Sequence, residues 1–460
     1  MKSVCVQGLG FVGAAMAIAV SSIRNNDGSP VYDVTGIDLP TEEGRARIAA
    51  VDACRFPFET TDGLLGKAAA AASVAGNLRA TDDPDAMADA DVVIVDINLD
   101  VDRSADVPRV DLAAFRQAVR TIGERIRPGA LVLIETTVPP GTCEKVVTPV
   151  LQLAFEERGL DPDDILLAHS FERVMPGREY LRSITHYWRV YAGRTQEASD
   201  ACEAFLTRLI DTEAYPLTRL DSLVASETAK VMENSYRAAN IAFVEEWARF
   251  AEAAGFDLFQ VIDAIRLRPT HNNIRQPGFG VGGYCLTKDP FLAGIGARDL
   301  IGCRDLSFPF SEQAVRVNED MPLVSLERLQ TLLGGTLEGK RILVMGVTYR
   351  QDVADTRYSP SETFVKEAQR RGGEILACDP LIDHWPELEM KVLEGPPPAD
   401  SVDGVVFAVP HEGFRMFNLV AWLKAGQPAI LDANNVLTRD QRAAAVDAGC
   451  IFASIGRGRA

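Results

Sequence analysis

Short apolar runs alternate with amphipathic segments along the first half of the chain. The apolar runs have the length of buried strands, and the segments between them have the periodicity of helices. Strands are predicted at residues 2–7, 32–37, 91–97, 131–135 and 165–168, and helices at 14–20, 68–74 and 111–126. Strands that alternate with helices predict a parallel, doubly wound sheet.

The alternation restarts after a long helical stretch at about residues 220–254 and a second one ending near residue 333. Strands are then predicted at 341–347, 374–378, 404–409 and 428–432, and helices at 361–371, 415–424 and 438–447. The expected fold class is α/β, with two Rossmann-like doubly wound domains joined by a long central helix. The predicted domains are residues 1–215, 216–335 and 336–460.

Composition narrows the classes of function. The 460 residues carry a net charge of −18, which argues against a non-specific nucleic-acid binder. The eight cysteines form no CxxC pair and the five histidines lack metal-ligand spacing, so we expect reduced thiols, a cytoplasmic protein and no metal site. The chain opens on a strand-like pattern rather than a signal peptide, and no apolar run approaches the roughly 20 residues of a membrane span.

Glycine spacing after the first strand predicts a dinucleotide site. Residues 8–13, Gly-Leu-Gly-Phe-Val-Gly, stand between a predicted strand and a predicted helix, as a G-x-G-x-x-G turn requires. The three glycines make the turn, admit a pyrophosphate and let the helix pack on the strand. Asp38 follows the second strand, where a carboxylate binds ribose hydroxyls and favours NAD over NADP. The alternative is a glycine turn in some other α/β fold.

Two later strand ends carry polar segments, and doubly wound sheets bind ligands at such ends. Residues 136–142, Thr-Thr-Val-Pro-Pro-Gly-Thr, offer hydroxyls in a turn stiffened by prolines. Their alternative is a proline turn with a helix cap at Thr142. Glu172 follows the strand at 165–168 and is a candidate working carboxylate, with an ion pair to Arg173 as the alternative.

The long helix offers a second pair of candidates. Lys230 and Asn234 are four residues apart and therefore share one helix face, where they can hold an oxyanion or a substrate hydroxyl. The alternative is a solvated lysine near an asparagine. Arg268 and Arg275 follow the helix and are suited to binding a phosphate.

One cysteine lies in a glycine-rich segment, which we expect to be a loop that holds an exposed sulfur against a bound substrate. Residues 278–290 read Gly-Phe-Gly-Val-Gly-Gly-Tyr-Cys-Leu-Thr-Lys-Asp-Pro. Glycines let a ligand approach the backbone closely, and a nearby cation favours the nucleophilic thiolate. Cys285, followed by Lys288 and Asp289, is therefore a candidate nucleophile. The alternative is a flexible turn with a packed cysteine.

The second predicted sheet offers a different turn after its first strand. Residues 348–357 contain Arg350 and Arg357, where an anionic ligand can enter. This second α/β domain lacks a G-x-G-x-x-G after its first strand, so we do not expect it to hold another dinucleotide.

These segments, in this order, resemble the UDP-glucose/GDP-mannose dehydrogenase family over essentially the whole chain. The resemblance rests on six motifs, at residues 8–13, 136–142, 172–177, 230–240, 280–290 and 349–357. It implies an NAD-dependent enzyme that oxidises the C6 hydroxymethyl of a nucleotide sugar to a carboxylate, using two NAD. It also implies a homodimer with the long helix at the interface.

The resemblance implies catalytic roles by position. Cys285 matches the nucleophile that traps an aldehyde as a thiohemiacetal, which is then oxidised to a thioester and opened by water. Lys230 and Asn234 match groups that stabilise the oxyanions. Asp289 matches a residue that handles protons or activates water.

Other matches concern water, cofactor and substrate. Glu172 and Thr137 match positions that manage water and protons. Motif and resemblance together predict cofactor contacts at Gly8, Gly10, Phe11, Val12, Gly13, Asp38, Thr137 and Arg357. They predict substrate contacts at Glu172, Arg173, Lys230, Asn234, Arg268, Arg275, Gly282, Tyr349 and Arg350.

The motifs leave the sugar open between a UDP-N-acetylhexosamine and UDP-glucose. Residues 172–177 look more like the UDP-N-acetylhexosamine branch, whereas Tyr284 and Lys288 are unlike it. Asn434 and Asn435 stand where members often carry arginine, which concerns recognition of the nucleotide.

Two other functions remain as alternatives. A two-electron β-hydroxyacid dehydrogenase shares the Rossmann domain and the lysine–asparagine helix, but needs neither the cysteine segment nor a second α/β domain. A non-catalytic nucleotide-sugar-binding protein needs no reactive cysteine, and a turnover assay separates it from an enzyme.

Overall fold

The structure is a computed structural model, and it describes residues 1–105, 107–175 and 177–458. The chain divides into two compact units. The first unit consists of residues 1–233 and 291–308, and the second of residues 234–290 and those from 309 onward. The three-domain division at residues 215 and 335 stays a prediction.

A doubly wound sheet of eight strands forms the centre of the first unit. Its strands are β1 (Lys2–Gln7), β2 (Tyr32–Ile37), β3 (Leu78–Thr81), β4 (Val92–Val95), β5 (Leu131–Ile134), β6 (Leu166–His169), β7 (Val190–Gly193) and β8 (Thr218–Arg219). Their order is β3-β2-β1-β4-β5-β6-β7-β8, and only the β6–β7 pair is antiparallel. The five predicted strands of this half are all present, which confirms the predicted sheet.

Helices cover both faces of this sheet because its strands are apolar on both sides. Val4 and Val6 of β1 enter one buried cluster, whereas Cys5 between them enters another on the opposite face. The helices are α1 (Phe11–Ser21), α2 (Glu42–Asp52), α3 (Gly63–Ala75), α4 (Ala113–Gly123), α5 (Thr148–Glu157), α6 (Tyr180–Thr185) and α7 (Gln196–Leu209).

A second doubly wound sheet, of seven strands, forms the centre of the second unit. Its strands are β9 (Arg341–Met345), β10 (Glu374–Cys378), β11 (His384–Trp385), β12 (Met390–Leu393), β13 (Gly404–Phe407), β14 (Ala429–Asp432) and β15 (Phe452–Ser454). Their order is β11-β12-β10-β9-β13-β14-β15, and only β11–β12 is antiparallel. The restart of the α/β alternation near residue 341 is therefore confirmed.

The long central helix is α8 (Leu223–Ala254), which supplies its first part to the first unit and the remainder to the second. The later helices are α9 (Leu258–Arg266), α10 (Tyr284–Ile295), α11 (Pro309–Leu332), α12 (Pro360–Arg370), α13 (Glu412–Arg415), α14 (Leu419–Trp422) and α15 (Arg439–Asp447). The single helix predicted at 415–424 is wrong: α13 and α14 are separate because Asn418 caps the second, accepting from Ala421 N at 3.0 Å. Within the described residues, no helix is both long enough and apolar enough to cross a membrane.

Candidate active site

The glycine turn after β1 has the geometry that its motif predicts. Gly8 has φ +95°, and its N–H donates to Ile37 O at 2.8 Å. A Cβ on Gly8 would overlap the backbone carbonyl of Asp96, and one on Gly13 would overlap the carbonyl of Gly8. Both positions therefore require glycine, the first for the turn and the second for close packing of α1 on the sheet.

The start of α1 leaves room for a phosphate. A Cβ placed on Gly10, the N-cap, meets no atom within 4 Å. Phe11 and Val12 are half-buried in the first helical turn, and the Phe11 ring stacks on Phe58 at 3.8 Å between centroids. Backbone N–H groups at a helix N-terminus bind anions. The residues present thus fit the pyrophosphate of NAD.

Asp38 lies directly after β2, as predicted, and is held in place by four hydrogen bonds. Its carboxylate accepts from Leu9 N at 3.2 Å and Leu39 N at 2.8 Å. Arg47 donates to it through Nε at 2.7 Å and Nη2 at 3.4 Å. The carboxylate is thus oriented at the strand end where a ribose binds. Arg47 is a neighbour that the sequence pattern did not identify.

Lys230 and Glu172 meet in the first unit. Lys230 is 8% exposed, its Nζ donates to Glu172 O at 3.0 Å, and it lies 3.6 Å from the Glu172 carboxylate. The solvated-lysine alternative is therefore wrong. Arg173 pairs instead with Glu233 at 2.9 Å, so the Glu172–Arg173 ion pair is also wrong.

The turn at residues 136–142 is fixed from inside the protein. The buried carboxylate of Glu227 accepts from Gly141 N at 2.6 Å and from Cys143 N at 2.7 Å. Burial raises the pKa of Glu227 to about 7. Thr142 donates to Pro139 O at 2.6 Å rather than capping a helix, and Thr137 is half-buried within the turn.

A group of buried polar side chains at the strand ends was missed from the sequence. Asp96 follows β4, Glu135 follows β5 and His169 ends β6, while Arg189 precedes β7. All four are at least nine-tenths buried. Arg189 Nη2 donates to Glu135 Oε1 at 2.8 Å. A polar residue directly after an apolar strand, as at Asp38, is the signal that also marks Asp96 and Glu135.

In the second unit, Cys285 lies in the first turn of α10 rather than in a loop, and it is exposed. Asp289, one helical turn later, is buried, and its Oδ2 accepts from Asn234 Nδ2 at 2.7 Å. Lys288 Nζ donates to Asp289 Oδ1 at 2.7 Å, and Arg237 donates to Asn234 Oδ1 at 3.3 Å. Three predicted residues thus lie in the second unit: Cys285 and Asp289 are on α10, and Asn234, on α8, is hydrogen-bonded to Asp289.

The glycines before Cys285 allow close packing against the β9–α12 connection. A Cβ on Gly282 would lie 2.8 Å from Tyr358 O, and one on Gly283 would lie 2.8 Å from the Tyr349 ring. Gly283 N also donates to Tyr358 O at 3.3 Å. Burial, then the charge of Asp355, raises the pKa of Tyr349 to about 12. The segment that carries the thiol is therefore positioned by this connection.

The predicted arginines differ in their surroundings. Arg268, Arg275 and Arg350 are exposed, and their roles stay predictions. Arg357 pairs with Asp355 through Nε at 3.0 Å and Nη2 at 2.8 Å.

The side chains of Asn434 and Asn435, after β14, form hydrogen bonds with other residues of the second unit. Asn434 donates to Ala408 O at 2.8 Å. Asn435 has φ +50°, and its Oδ1 accepts from Arg442 at 3.2 Å and Arg457 at 3.1 Å. Arginine is therefore present at this strand end, although it comes from α15 and from the segment after β15.

Comparison with known families matches three regions of the chain. The NAD binding domain of the UDP-glucose/GDP-mannose dehydrogenase family matches residues 2–209. The central domain of that family matches residues 224–320, and its UDP binding domain matches residues 343–439.

Similar proteins extend over the whole length. A UDP-N-acetyl-D-mannosamine dehydrogenase of Pyrococcus horikoshii is 30% identical over 468 aligned residues, covering 99% of each chain. An NDP-N-acetyl-D-galactosaminuronic acid dehydrogenase of Ralstonia solanacearum is 27% identical, covering 90% of this chain and 92% of that one. Among solved structures, a UDP-D-ManNAc dehydrogenase from Pyrococcus horikoshii has a TM-score of 0.81 at 27% identity, covering 99% of each chain. An NDP-N-acetyl-D-galactosaminuronic acid dehydrogenase from Methanosarcina mazei Go1 has a TM-score of 0.80 at 25% identity, covering 99% of this chain and 95% of that one.

Proposed function

The chain belongs to the UDP-glucose/GDP-mannose dehydrogenase family, and from this premise we propose that it oxidises C6 of a UDP-N-acetylhexosamine to the carboxylate. It is an NAD-dependent nucleotide-sugar dehydrogenase. The N-acetylhexosamine is favoured over glucose because the relatives named above act on N-acetylated sugars.

The observation that carries the four-electron chemistry is the surroundings of Cys285. Its thiol is exposed in the first turn of α10, where backbone N–H groups favour an anion. Asp289 lies four residues on, so both side chains project from one face of the helix. Asn234 and Lys288 hold the Asp289 carboxylate at 2.7 Å each. A nucleophile and an oriented carboxylate therefore lie one helical turn apart on α10, which suits acyl transfer.

The reaction follows from these groups. Bound NAD accepts a hydride in each oxidation. After the first, Cys285 sulfur adds to the C6 aldehyde, forming a C–S bond and a thiohemiacetal. After the second, C6 is a thioester, and water breaks the C–S bond to release the carboxylate and restore the thiol. In total, the alcohol, one water and two NAD⁺ give the carboxylate, two NADH and three protons.

We propose that Lys230 and Glu172 act on the oxygen of the C6 alcohol and on that of the attacking water. The Lys230 ammonium carries three donors and is buried, so its charge acts in a medium of low dielectric constant. One well-placed donor stabilises a developing oxyanion by about 3 kcal/mol. Glu172, 3.6 Å from Lys230, is the acceptor for the proton that leaves the alcohol or the attacking water.

Product stoichiometry tests the reaction. We expect two NADH per sugar consumed and a uronate product with UDP-N-acetylmannosamine or its galacto isomer, and a smaller kcat/KM with UDP-glucose. One NADH per sugar, with an aldehyde as the final product, contradicts the four-electron mechanism.

Two cysteine variants test the nucleophile. Cys285→Ala is expected to stop uronate formation while leaving NAD and substrate affinity nearly unchanged, because the sulfur is needed only after the first oxidation. Cys285→Ser is expected to accumulate a sugar ester on the protein, since its alcohol is a poorer nucleophile and its ester opens slowly; intact mass measures the adduct. The matched control is Cys303→Ser, which changes the other exposed cysteine. Normal uronate formation by Cys285→Ala contradicts the proposal.

We further propose a homodimer formed through α8. Four aromatic or apolar side chains repeat along one helix face and are each about half exposed: Tyr236 (52%), Phe243 (52%), Trp247 (46%) and Phe250 (55%). Trp247→Lys is expected to shift the sedimentation coefficient to that of a monomer. Met416→Lys, which changes an exposed residue at the C-terminus of α13, is expected to leave the coefficient unchanged. A monomeric wild type contradicts the dimer.

A cytoplasmic location is the last part of the proposal. The eight cysteines show no spacing of a disulfide framework, which suits a reducing compartment. Fractionation of cells that express the protein tests this, and recovery in a secreted or periplasmic fraction contradicts it.

A further inference from the structure

A buried carboxyl at the end of a central strand has Glu172 and Lys230 among its charged neighbours. Glu135 follows β5 directly and precedes the turn that contains Thr137. Its side chain is fully buried, and so is that of Arg189, its partner. The proposed reaction assigns nothing to this pair.

Only one oxygen of the Glu135 carboxyl is used. Oε1 accepts from Arg189 Nη2 at 2.8 Å, whereas Oε2 is buried and has no hydrogen-bond partner among the described residues. The other terminal nitrogen of Arg189, Nη1, donates to Ser170 O at 3.3 Å. A buried carboxylate that served only as a structural ion pair is expected to have both oxygens hydrogen-bonded.

Charged and titratable groups lie near Glu135 on neighbouring elements. They are Asp96 after β4, His169 at the end of β6, Glu172 after β6, Arg189 before β7, Cys202 on α7 and Lys230 on α8. Two of them, Asp96 and Glu172, are carboxyls like Glu135, and two, Arg189 and Lys230, are cations. His169 is neutral, because burial and then Lys230 lower its pKa to about 3.

The balance of these charges favours one bound proton. With Asp96, Glu135 and Glu172 all ionised, three negative charges face only Arg189 and Lys230. Burial raises the pKa of Glu135 to about 7, against the opposing charge of Arg189. Burial and the charge of Glu135 raise the pKa of Asp96 as well. The cluster therefore changes charge near neutral pH, next to Glu172 and Lys230.

We propose that Glu135 is a positioning residue for the reaction: by gaining or losing one proton, it sets the charge in the neighbourhood of Glu172 and Lys230 while they act on the substrate oxygen. The inference rests on the proposed function of those two residues. The ionised form of Glu135 is the faster form, because a nearby negative charge favours transfer of the alcohol proton to Glu172.

The experiment compares pH profiles of kcat and KM for the wild type and Glu135→Gln. Gln keeps the size and one oxygen for Arg189 but cannot titrate. We expect wild-type kcat to rise about fivefold from about pH 6 to about pH 8, with an inflection near 7, and the variant to change less than about twofold. KM for the nucleotide sugar and NAD affinity stay as in the wild type.

Glu245→Gln is the matched control. Glu245 is another buried carboxyl, on α8, whose pKa burial raises to about 7, but its neighbour is Arg249 rather than the groups around Glu172. We expect it to retain the wild-type inflection in kcat. If both variants lose the inflection, or if Glu135→Gln retains it, the proposal is overturned.

A second variant covers the case in which Glu135→Gln does not fold. Glu135→Asp keeps a carboxyl but withdraws it from Arg189, whose charge lowers the pKa of Glu135, so the inflection is expected to move to higher pH. An inflection at the wild-type pH overturns the proposal, as does a uniform loss of kcat at every pH. Failure of the proposed function is separate, since it shows as absence of uronate and NADH in the wild type itself.

Discussion

The two sheets of this protein begin with the same turn and then use it differently. Gly8 and Gly346 follow the first strand of each sheet with φ +95° and +99°, and each donates to the end of the neighbouring strand at 2.8 Å. An aspartate follows that neighbouring strand in both cases. Asp38 accepts from Leu9 N, and Asp379 accepts from the corresponding Val347 N at 2.9 Å.

The difference lies in what comes next. In the first sheet α1 begins at Phe11, so the helix N-terminus stands at the turn with open space at Gly10. In the second sheet α12 begins only at Pro360. In the second turn the backbone N–H groups are already bonded by the protein itself, because Asp379 accepts from Thr348 N at 3.3 Å as well as from Val347 N.

A buried histidine completes the closure of the second turn. His411 Nε2 lies 3.0 Å from Thr348 Oγ1 and 3.2 Å from Asp379 Oδ2, and its Nδ1 accepts from Asp352 N at 3.1 Å. The long connection thus fixed carries Arg350 and Arg357. The same backbone turn thus leads directly into a helix N-terminus, a group that binds anions, in the first sheet, and into a long connection that carries two arginines in the second.

Gly13→Ala is expected to have the largest effect, because it breaks the first turn alone. The new Cβ overlaps the Gly8 carbonyl, which is backbone and cannot move aside, so the first unit loses about 3 kcal/mol and NAD binding is lost. Gly10→Ala is the control: its Cβ meets nothing, so folding is kept while NAD affinity falls. Thermal unfolding and NAD titration measure both. Equal NAD affinity in Gly10→Ala and the wild type contradicts the use of this space by the cofactor.

Gly346→Ala tests the second turn in the same way. At φ +99° an alanine is strained, and its Cβ would lie 2.5 Å from Val409 Cβ, so we expect the second unit to lose about 2 kcal/mol. NAD affinity is expected to stay at the wild-type value, and KM for the nucleotide sugar to rise. A loss of NAD affinity equal to that of Gly13→Ala removes the distinction between the turns.

Much of this comparison could be predicted from the sequence. The G-x-G-x-x-G motif, its flanking elements and Asp38 define the first turn, because spacing alone carries the geometry. The strands β1, β2, β9 and β10 could be predicted because apolar residues either follow one another or alternate with other residues in each of them. The short edge strands were not: β3 reads Leu-Arg-Ala-Thr, which alternates over only four residues and has one large apolar side chain.

The side-chain contacts of the site could be predicted only in part. Lys230 and Asn234 were found from helical spacing, but their partners Glu172 and Asp289 lie 58 and 55 residues away in sequence. No local pattern joins such pairs, and the same holds for Glu135 and Arg189, 54 residues apart. Cys285 was placed in a loop because glycines precede it, whereas the helix begins at Tyr284. Glycine marks where a turn is allowed, not where the next helix starts.

Glu245→Gln tests a stability difference of intermediate size, confined to the second unit. Burial raises the pKa of Glu245 from its ordinary 4.5 to about 7, so the folded state binds more protons than the unfolded state between these values. Stability from this group is therefore greatest at low pH and falls as pH rises through about 7. We expect the variant to match the wild type at about pH 5 and to be more stable by about 2 kcal/mol at about pH 8. Urea unfolding at the two pH values measures this, and a variant less stable at pH 8 contradicts it.

The smallest effect is expected from the paired aspartates, and it separates the two turns most directly. In the first sheet, Asp38 repels a 2′-phosphate, while its partner Arg47 lies 2.7 Å away and attracts one. Asp38→Asn removes the repulsion and keeps the size, so the ratio of kcat/KM with NADP to that with NAD is expected to rise about tenfold, or about 1.4 kcal/mol. Asp379→Asn makes the same change at the corresponding place in the second sheet, where the carboxylate holds Val347, Thr348 and His411. It is expected to leave the cofactor ratio unchanged and to raise KM for the nucleotide sugar, because it loosens the connection that carries Arg350. If the two variants shift the cofactor ratio equally, the predicted contact between Asp38 and the ribose loses its support.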